Sequence, residues 1–391
     1  MGKWEMVRLG DVCEVVSGST PSTNNPELWG GDIKWVTPAE ISDNSYVIYD
    51  TERHISEKAG LKPMPAGTVL LSSRAPIGKV AIADVPMCCN QGFKNLICSA
   101  KVHNRFLYRY LKNQIVYLNS LGRGATFKEI SKSIVEEVLF PLPTLPIQKK
   151  IADVLDRASA LIEKRKAQVE KLDLLVKSKF IEMFNGEQYP LVRLEDICGF
   201  ITKGTTPPVS RITNTITKTS IPYIKVYNLS DNGELHFHEE PQYIDIETHN
   251  SLLARSKVFP EDVLMNIVGL PLGKFALVPN DFAEWNINQA VAIFRSMGKV
   301  LPIYLMYAMM KPDVLRPFLD KAVGIRQVNL SLKQCRELEI PLPPLELQSC
   351  FVDFVHVINK LRLELQQGLS KLELLYKSLM YKYFKEEVLD V

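Results

Sequence analysis

Apolar positions along the 391-residue chain fall into four successive textures. Up to about residue 145 they form short alternating or apolar runs, such as IKWV, TVLLSS and KVAIA, bounded by Gly, Pro, Asn and Asp. Runs of this kind predict strands of a mixed α/β domain. A helix is expected within Asn104–Leu121. After the stop PLPTLP come about 37 residues without Pro, with apolar positions Ile151, Val154, Ala158, Leu161, Leu172 and Leu175. Steps of three and four predict a long amphipathic helix with a heptad-like seam. The succession then returns. Strand-like runs VLMNIV and KFALV and a helix near Leu301–Lys311 precede PLPPL. A second periodic stretch follows through Phe354, Ile358, Leu361, Leu365, Leu372, Leu375 and Leu379.

Arg165, Gln168 and Lys179 interrupt the first seam, and Gly368 weakens the second. Neither helix is expected to be stable alone, so each needs a partner helix. Packing them on one another is the economical solution, and at 1.5 Å per residue each spans roughly 55 Å. So regular and Leu-rich a stretch is not flexible-linker composition.

The two halves are copies. MVRLGDVCEVVSGSTPS (Met6–Ser22) answers LVRLEDICGFITKGTTPP (Leu191–Pro208), and PIGKVAI (Pro76–Ile82) answers PLGKFAL (Pro271–Leu277). Asn90-Gln91 answers Asn288-Gln289, FPLPTLPIQ answers IPLPPLELQ, and KLDLLVKSKFIEMF (Lys171–Phe184) answers KLELLYKSLMYKYF (Lys371–Phe384). The offset grows from about 185 to 200, which places some fifteen extra residues in the second copy, largely at Ser210–Ser220. A period this long is a duplicated domain, not a solenoid unit.

Composition adds boundaries. The chain is 46% hydrophobic and 23% charged, with seven cysteines that form no CxxC pair. Scattered cysteines fit buried thiols in a reducing cytoplasm. No apolar run approaches the roughly 18 residues of a membrane span, and the start has no export signal. The net charge of +3 is unevenly spread: Lys94–Lys132 holds eight Lys/Arg and one acid, and Arg295–Arg336 holds eight and two. Ile197–Ser230 has four basic residues and no acid. Basic blocks at matching places suggest surfaces that meet a polyanion.

No (N/D)PP(Y/F) motif and no Gly-rich cofactor turn is present. GLPLGKF (Gly269–Phe275) superficially resembles a phosphate loop, but its glycines are one residue too close and Phe275 stands where Ser or Thr would ligate magnesium. It reads as a tight strand-connecting turn. His236, His238 and Glu239 read as a solvated loop rather than a metal site. Asn90-Gln91 and Asn288-Gln289, set among apolar residues, read as core amides, and the four tryptophans as core side chains.

With its segments SGSTPSTNNPELWGGDIKWVTPAEI (Ser17–Ile41), PAGTVLLSSRAPIGKVAIAD (Pro65–Asp84) and CNQGFKNL (Cys89–Leu96), and with IPLPPLELQ leading into a helix that ends KLELLYKSL, the chain resembles the specificity subunit of type I restriction–modification enzymes. The likeness covers essentially the whole chain. The second copy lacks the WGG of the first, so residues there do not transfer one for one. The resemblance implies an α+β fold: two globular mixed α/β target-recognition domains (1–145 and 186–345) alternating with two long spacer helices (146–185 and 346–388) that pack as an antiparallel coiled coil. It implies a non-catalytic, cytoplasmic subunit that holds no cofactor. S-adenosylmethionine, ATP and magnesium are expected on its partners, two methyltransferase subunits and a restriction or translocase subunit. Each recognition domain would read one half of a bipartite, asymmetric double-stranded DNA target.

DNA reading needs cations for phosphates and short or forked polar groups for base edges. In the first copy the candidates are Ser17, Ser19, Thr20, Arg74, Lys79, Arg123, Thr126 and Lys128. In the second they are Lys203, Thr205, Thr206, Arg211, Lys218, Lys225, Lys274, Arg326 and Gln327. Leu161, Leu172, Leu175, Leu361, Leu372 and Leu375 are the candidates for helix packing and partner docking. Two other classes remain open at this point: a coiled-coil scaffold without DNA specificity, and a methyltransferase or nuclease with atypical motifs.

Overall fold

The computed structural model describes residues 4–42, 46–74, 76–124, 128–185, 189–322 and 328–386. The duplication is visible strand by strand. A clasp closes each globular segment: Met6–Arg8 pairs antiparallel with Leu139–Pro141, and Leu191–Arg193 with Glu339–Pro341. Next, Cys13–Ser17 pairs with Lys94–Cys98, and Cys198–Lys203 with Val291–Ser296. The PIGK and PLGK turns join antiparallel strands, Val69–Leu71 to Val80–Ala83 and Val263–Asn266 to Phe275–Leu277. A parallel pair recurs too, Trp29–Val36 with Met87–Cys89 and Ile221–Ile224 with Trp285–Ile287. The extra residues of the second copy add Ile212–Thr213, the outermost strand of its five-stranded sheet.

Helices pack on these sheets where expected, with breaks. The span 104–121 divides into Asn104–Asn113 and Ile115–Ser120, and Pro302–Met310 is followed by Pro312–Leu319. Proline at the first position of each later helix supplies a preset φ at no loss of a helical hydrogen bond. The long helices run over Leu145–Phe184 and Leu345–Tyr381.

Each long helix is anchored at its start by the glutamine of the Pro-rich motif. Gln148 is fully buried; its Oε1 accepts from His103 N (2.8 Å), and its Nε2 donates to Lys101 O (3.0 Å) and Pro143 O (2.7 Å). Gln348 repeats this with Leu301 N (2.8 Å), Lys299 O (3.5 Å) and Pro343 O (2.9 Å). One amide thus satisfies backbone groups at the start of both the long helix and the helix of the globular part.

The compact units do not follow the four-segment division. One comprises residues 1–166 and 367–391, the other 167–366, so each long helix is divided between them. In the first unit, Ile151, Ala152 and Leu155 share a core with Met380 and Phe384 from the far end of the chain. In the second, Leu172, Val176, Phe180 and Phe184 share a core with Phe351, Val355 and Ile358. The start of one helix lies against the end of the other in both, so the pair is antiparallel.

The seam differs from the expected one. Leu172 is buried and Leu372 half-buried, but Leu161, Leu175, Leu361 and Leu375 are exposed, between 41% and 52%. The reason is spacing: near the helix ends the buried positions recur every four residues (Leu172, Val176, Phe180, Phe184), because the stripe faces a globular core as well as the other helix. Ile162 is buried in the first unit, while its counterpart Arg362 is buried in the second and bonds Asp173 and Glu234 (2.8 Å).

Phe384 touches Phe106 and Tyr110 (ring centroids 5.4 and 5.7 Å) although nearly three hundred residues separate them. Phe384→Ala is expected to lower the stability of the first unit by about 3–5 kcal/mol. Leu375→Ala, at an exposed position, should change it by less than about 0.5 kcal/mol. Urea unfolding checks both; equal effects would contradict the packing described.

Candidate nucleic-acid interface

In each copy two turns cross at the end of the strand that opens the domain. In the first, Gly18 N donates to Phe93 O (3.2 Å) and Ser19 N to Cys89 O (2.9 Å). A Cβ at Gly18 would lie 1.8 Å from the Asn90 carbonyl oxygen, so only glycine passes there. Asn90 N donates to Val36 O (3.2 Å), and Asn90 Oδ1 accepts from Gly92 N (2.9 Å), which locks the next turn. The second copy repeats the crossing. Gly204 N donates to Val291 O (3.1 Å), Asn288 N to Ile224 O (3.1 Å), and Asn288 Oδ1 accepts from Ala290 N (3.2 Å). A Cβ at Gly204 would lie 2.1 Å from the Ile287 carbonyl oxygen.

The strand-connecting turn and a later loop close the same region. Ser72 Oγ donates to Pro76 O (2.6 Å) and accepts from Lys79 N (2.9 Å). In the second copy Asn266 spans the turn, Nδ2 donating to Pro271 O (2.7 Å) and Oδ1 accepting from Lys274 N (2.6 Å). These are structural turns and not phosphate loops. Ile130 N donates to Ser73 O (3.0 Å) and Leu330 N to Ile267 O (2.9 Å), which brings Glu129 beside Arg74 and Asn329 beside Val268. In the second copy Lys203, Val268, Gln289, Asn329, Ser331 and Gln334 line one open cleft.

The expected residues divide by position. Ser17, Ser19 and Thr20 lie at the first crossing, and Arg74 packs beside Gly92 within it. Arg123 and Lys128 are exposed on the loop that pairs back through Glu129. Lys79 is half-buried and its Nζ donates to Pro38 O (2.9 Å), so it clamps a neighbouring segment. Lys203, Thr205 and Thr206 lie at the second crossing, Lys274 is half-buried beside it, Lys218 is exposed and Lys225 half-buried. Thr126, Arg326 and Gln327 lie outside the described residues.

Several expectations are corrected. Arg211, from a stretch free of acids in sequence, stands 3.7 Å from Asp245 and 3.6 Å from Glu247. Hydrogen bonds from the Thr248 backbone and hydroxyl, aided by Arg211, hold Asp245 below the usual carboxylate range, so Arg211 faces an ionised acid. The basic blocks are partly internal. Lys94 pairs with Glu129 (3.2 Å), Arg105 with Asp153 (2.7 Å), Arg109 with Asp156 (2.7 Å) and Arg295 with Asp262 (2.7 Å). Asn90 and Asn288 are half-buried and Gln91 and Gln289 are exposed, so these pairs are not core amides. Trp35 and Trp285 are core residues; Trp4 and Trp29 are half-buried, and Arg53 lies 3.8 Å over the Trp29 ring.

Exposed residues that pattern reading missed are Gln91, Gln289, Asn329 and Arg255, whose Nη2 donates to Thr205 Oγ1 (3.0 Å). His249, buried, meets Glu284 (2.8 Å) and Asn286; burial lowers its pKa, leaving it a neutral structural group. His236 and His238 turn to different acids, Glu239 (3.3 Å) and Asp281 (3.4 Å). Among the described residues no group of three or more His, Cys, Asp or Glu is arranged to hold a metal, and no helix is long and apolar enough to cross a membrane.

Residues 1–171 and 187–374 each match the family described as type I restriction modification DNA specificity domain. The chain belongs to that family. It is 43% identical over 199 residues to the type I restriction enzyme MjaIX specificity subunit of Methanocaldococcus jannaschii, covering 48% of this chain and 46% of that protein. It is 25% identical over 330 residues to the EcoBI specificity subunit of Escherichia coli, covering 74% and 66%. The chain thus spans about half of the first relative and just under two thirds of the second. The crystal structure of the S subunit from M. genitalium superposes with a TM-score of 0.58 at 16% identity, over 98% of this chain and 96% of that one. A chain from a structure on assembly and conformational transition of the type I R-M system gives 0.61 at 20% identity, over 98% of both. These likenesses show a shared fold.

If the crossing glycines hold the two clefts, Gly18→Ala should destabilise the first unit by about 3 kcal/mol or more, since the opposing atom is backbone. Gly30→Ala, at φ 76° with open space around it, should cost only about 1–2 kcal/mol. Urea unfolding midpoints of the two variants compare them directly.

Proposed function

We propose that the chain is the non-catalytic, sequence-specific DNA-binding subunit of a type I restriction–modification complex, each copy reading one half of a bipartite, asymmetric double-stranded target. The observation that carries this reading is the turn crossing built twice on one backbone scaffold but with different residues around it. The first copy has Arg74 where the second has Val268, and Ser17 where the second has Lys203. A constant frame with a changed polar lining suits two readers of two different sequences. The long helices would join the readers, and their exposed apolar residues Leu161, Leu175, Leu361 and Leu375 would serve two methyltransferase subunits. Restriction or translocase subunits would join that assembly. S-adenosylmethionine, ATP and magnesium would then act on those partners, in the cytoplasm.

Methylome sequencing of a methylation-free host, expressing the chain with its methyltransferase partner, tests this. The expected result is one motif of two short, different blocks around an unspecified gap. Methylation at a single continuous site would contradict two readers. No methylation with a folded partner present would leave a scaffold role instead.

A further inference from the structure

The Asn-Gln turns, expected from sequence to be core amides, carry a glutamine that the structure exposes in both copies. Both are held by the same set of contacts: the Asn N–H on a strand carbonyl, the Asn side chain closing the turn, and a glycine passing beneath in van der Waals contact. All these bonds fix the backbone, and the residue they present outward is a glutamine in both copies. A long, flexible polar side chain adds little to folding at an exposed position. Its side-chain freedom makes rigid support for it unnecessary unless its origin must be fixed relative to something outside the protein.

The surroundings are those of a base-reading group. Thr20 hydrogen-bonds Gln91 Oε1, which orients the amide without using its N–H groups. Arg74 packs beside the same turn. In the second copy Gln289 shares its cleft with Lys203 and Asn329. Arg74, on the strand-connecting segment, packs at the first turn, and Lys203, on the crossing turn, lines the cleft with Gln289. The carboxylate of the first cleft, Glu129, is engaged by Lys94 (3.2 Å).

We infer that Gln91 and Gln289 each read an adenine through its major-groove edge, one in each half of the target. A glutamine amide donates to adenine N7 and accepts from its N6 amino group, a pairing that the other bases do not offer. Arg74 and Lys203 would hold the flanking phosphates and set the register. This rests on the DNA-reading function proposed above.

The test is methylome sequencing of hosts carrying Gln91→Ala or Gln289→Ala in the full chain, together with its methyltransferase partner and beside the unaltered protein. Urea unfolding of each variant confirms that it folds. Each variant should relax the motif at one A·T position in one half only, a different half for each. Methylation of the original site should fall by about 10- to 100-fold relative to non-specific sites. An unchanged motif in both folded variants overturns the inference, as does loss of all methylation, since one base contact does not carry the whole affinity. If the unaltered protein itself gives no two-part motif, the DNA-reading function fails instead.

Discussion

Neither globular unit is complete without a long-helix end packed into its core. The first is completed by Met380 and Phe384, from the end of the second long helix, and the second by Val176, Phe180 and Phe184, from the end of the first. Burial of each such side chain contributes about 1.5–3 kcal/mol, so each core depends on the helix end packed into it. Each long helix begins in one unit and ends in the other. The buried Gln148 and Gln348 fix where each helix starts, and ion pairs of Arg105 and Arg109 with Asp156, or of Arg362 with Asp173 and Glu234, fix how the globular part meets it.

The turn crossings depend on few side chains. Their geometry rests on backbone: a glycine that no other residue can replace, two asparagines closing turns on themselves, and a strand-connecting turn spanned by Ser72 or Asn266. Because few of the lining side chains are needed to hold the frame, they can differ between copies without unfolding either. Such a separation of frame from lining would let one duplicated domain serve two different targets under the proposed function.

Much of the architecture was legible because it is periodic or repeated. The duplication, the two long helices and the turn nature of GLPLGKF follow from spacing that any fold must respect. The seam was legible only in part: a leucine at the right step is not buried if the helix faces a globular core, and the four-residue spacing of Phe180 and Phe184 records that better than the leucines do. Charge was the weakest guide. Arg105, Arg109 and Arg295 sit in basic blocks, yet their acids lie outside those blocks, in segments that sequence order does not bring together. Gln91 and Gln289 were misread for a related reason, since apolar neighbours in a strand-rich stretch do not reveal that the chain turns outward between them.

The central claim is that one chain carries two independent readers on a shared helix pair. The most direct measurement is the methylation motif of a chain in which residues 1–144 are replaced by residues 186–344, so that both readers are the second copy. The account predicts a folded protein whose motif keeps its gap but has the same sequence in both halves. A folded chimera that retains the original asymmetric motif would contradict it.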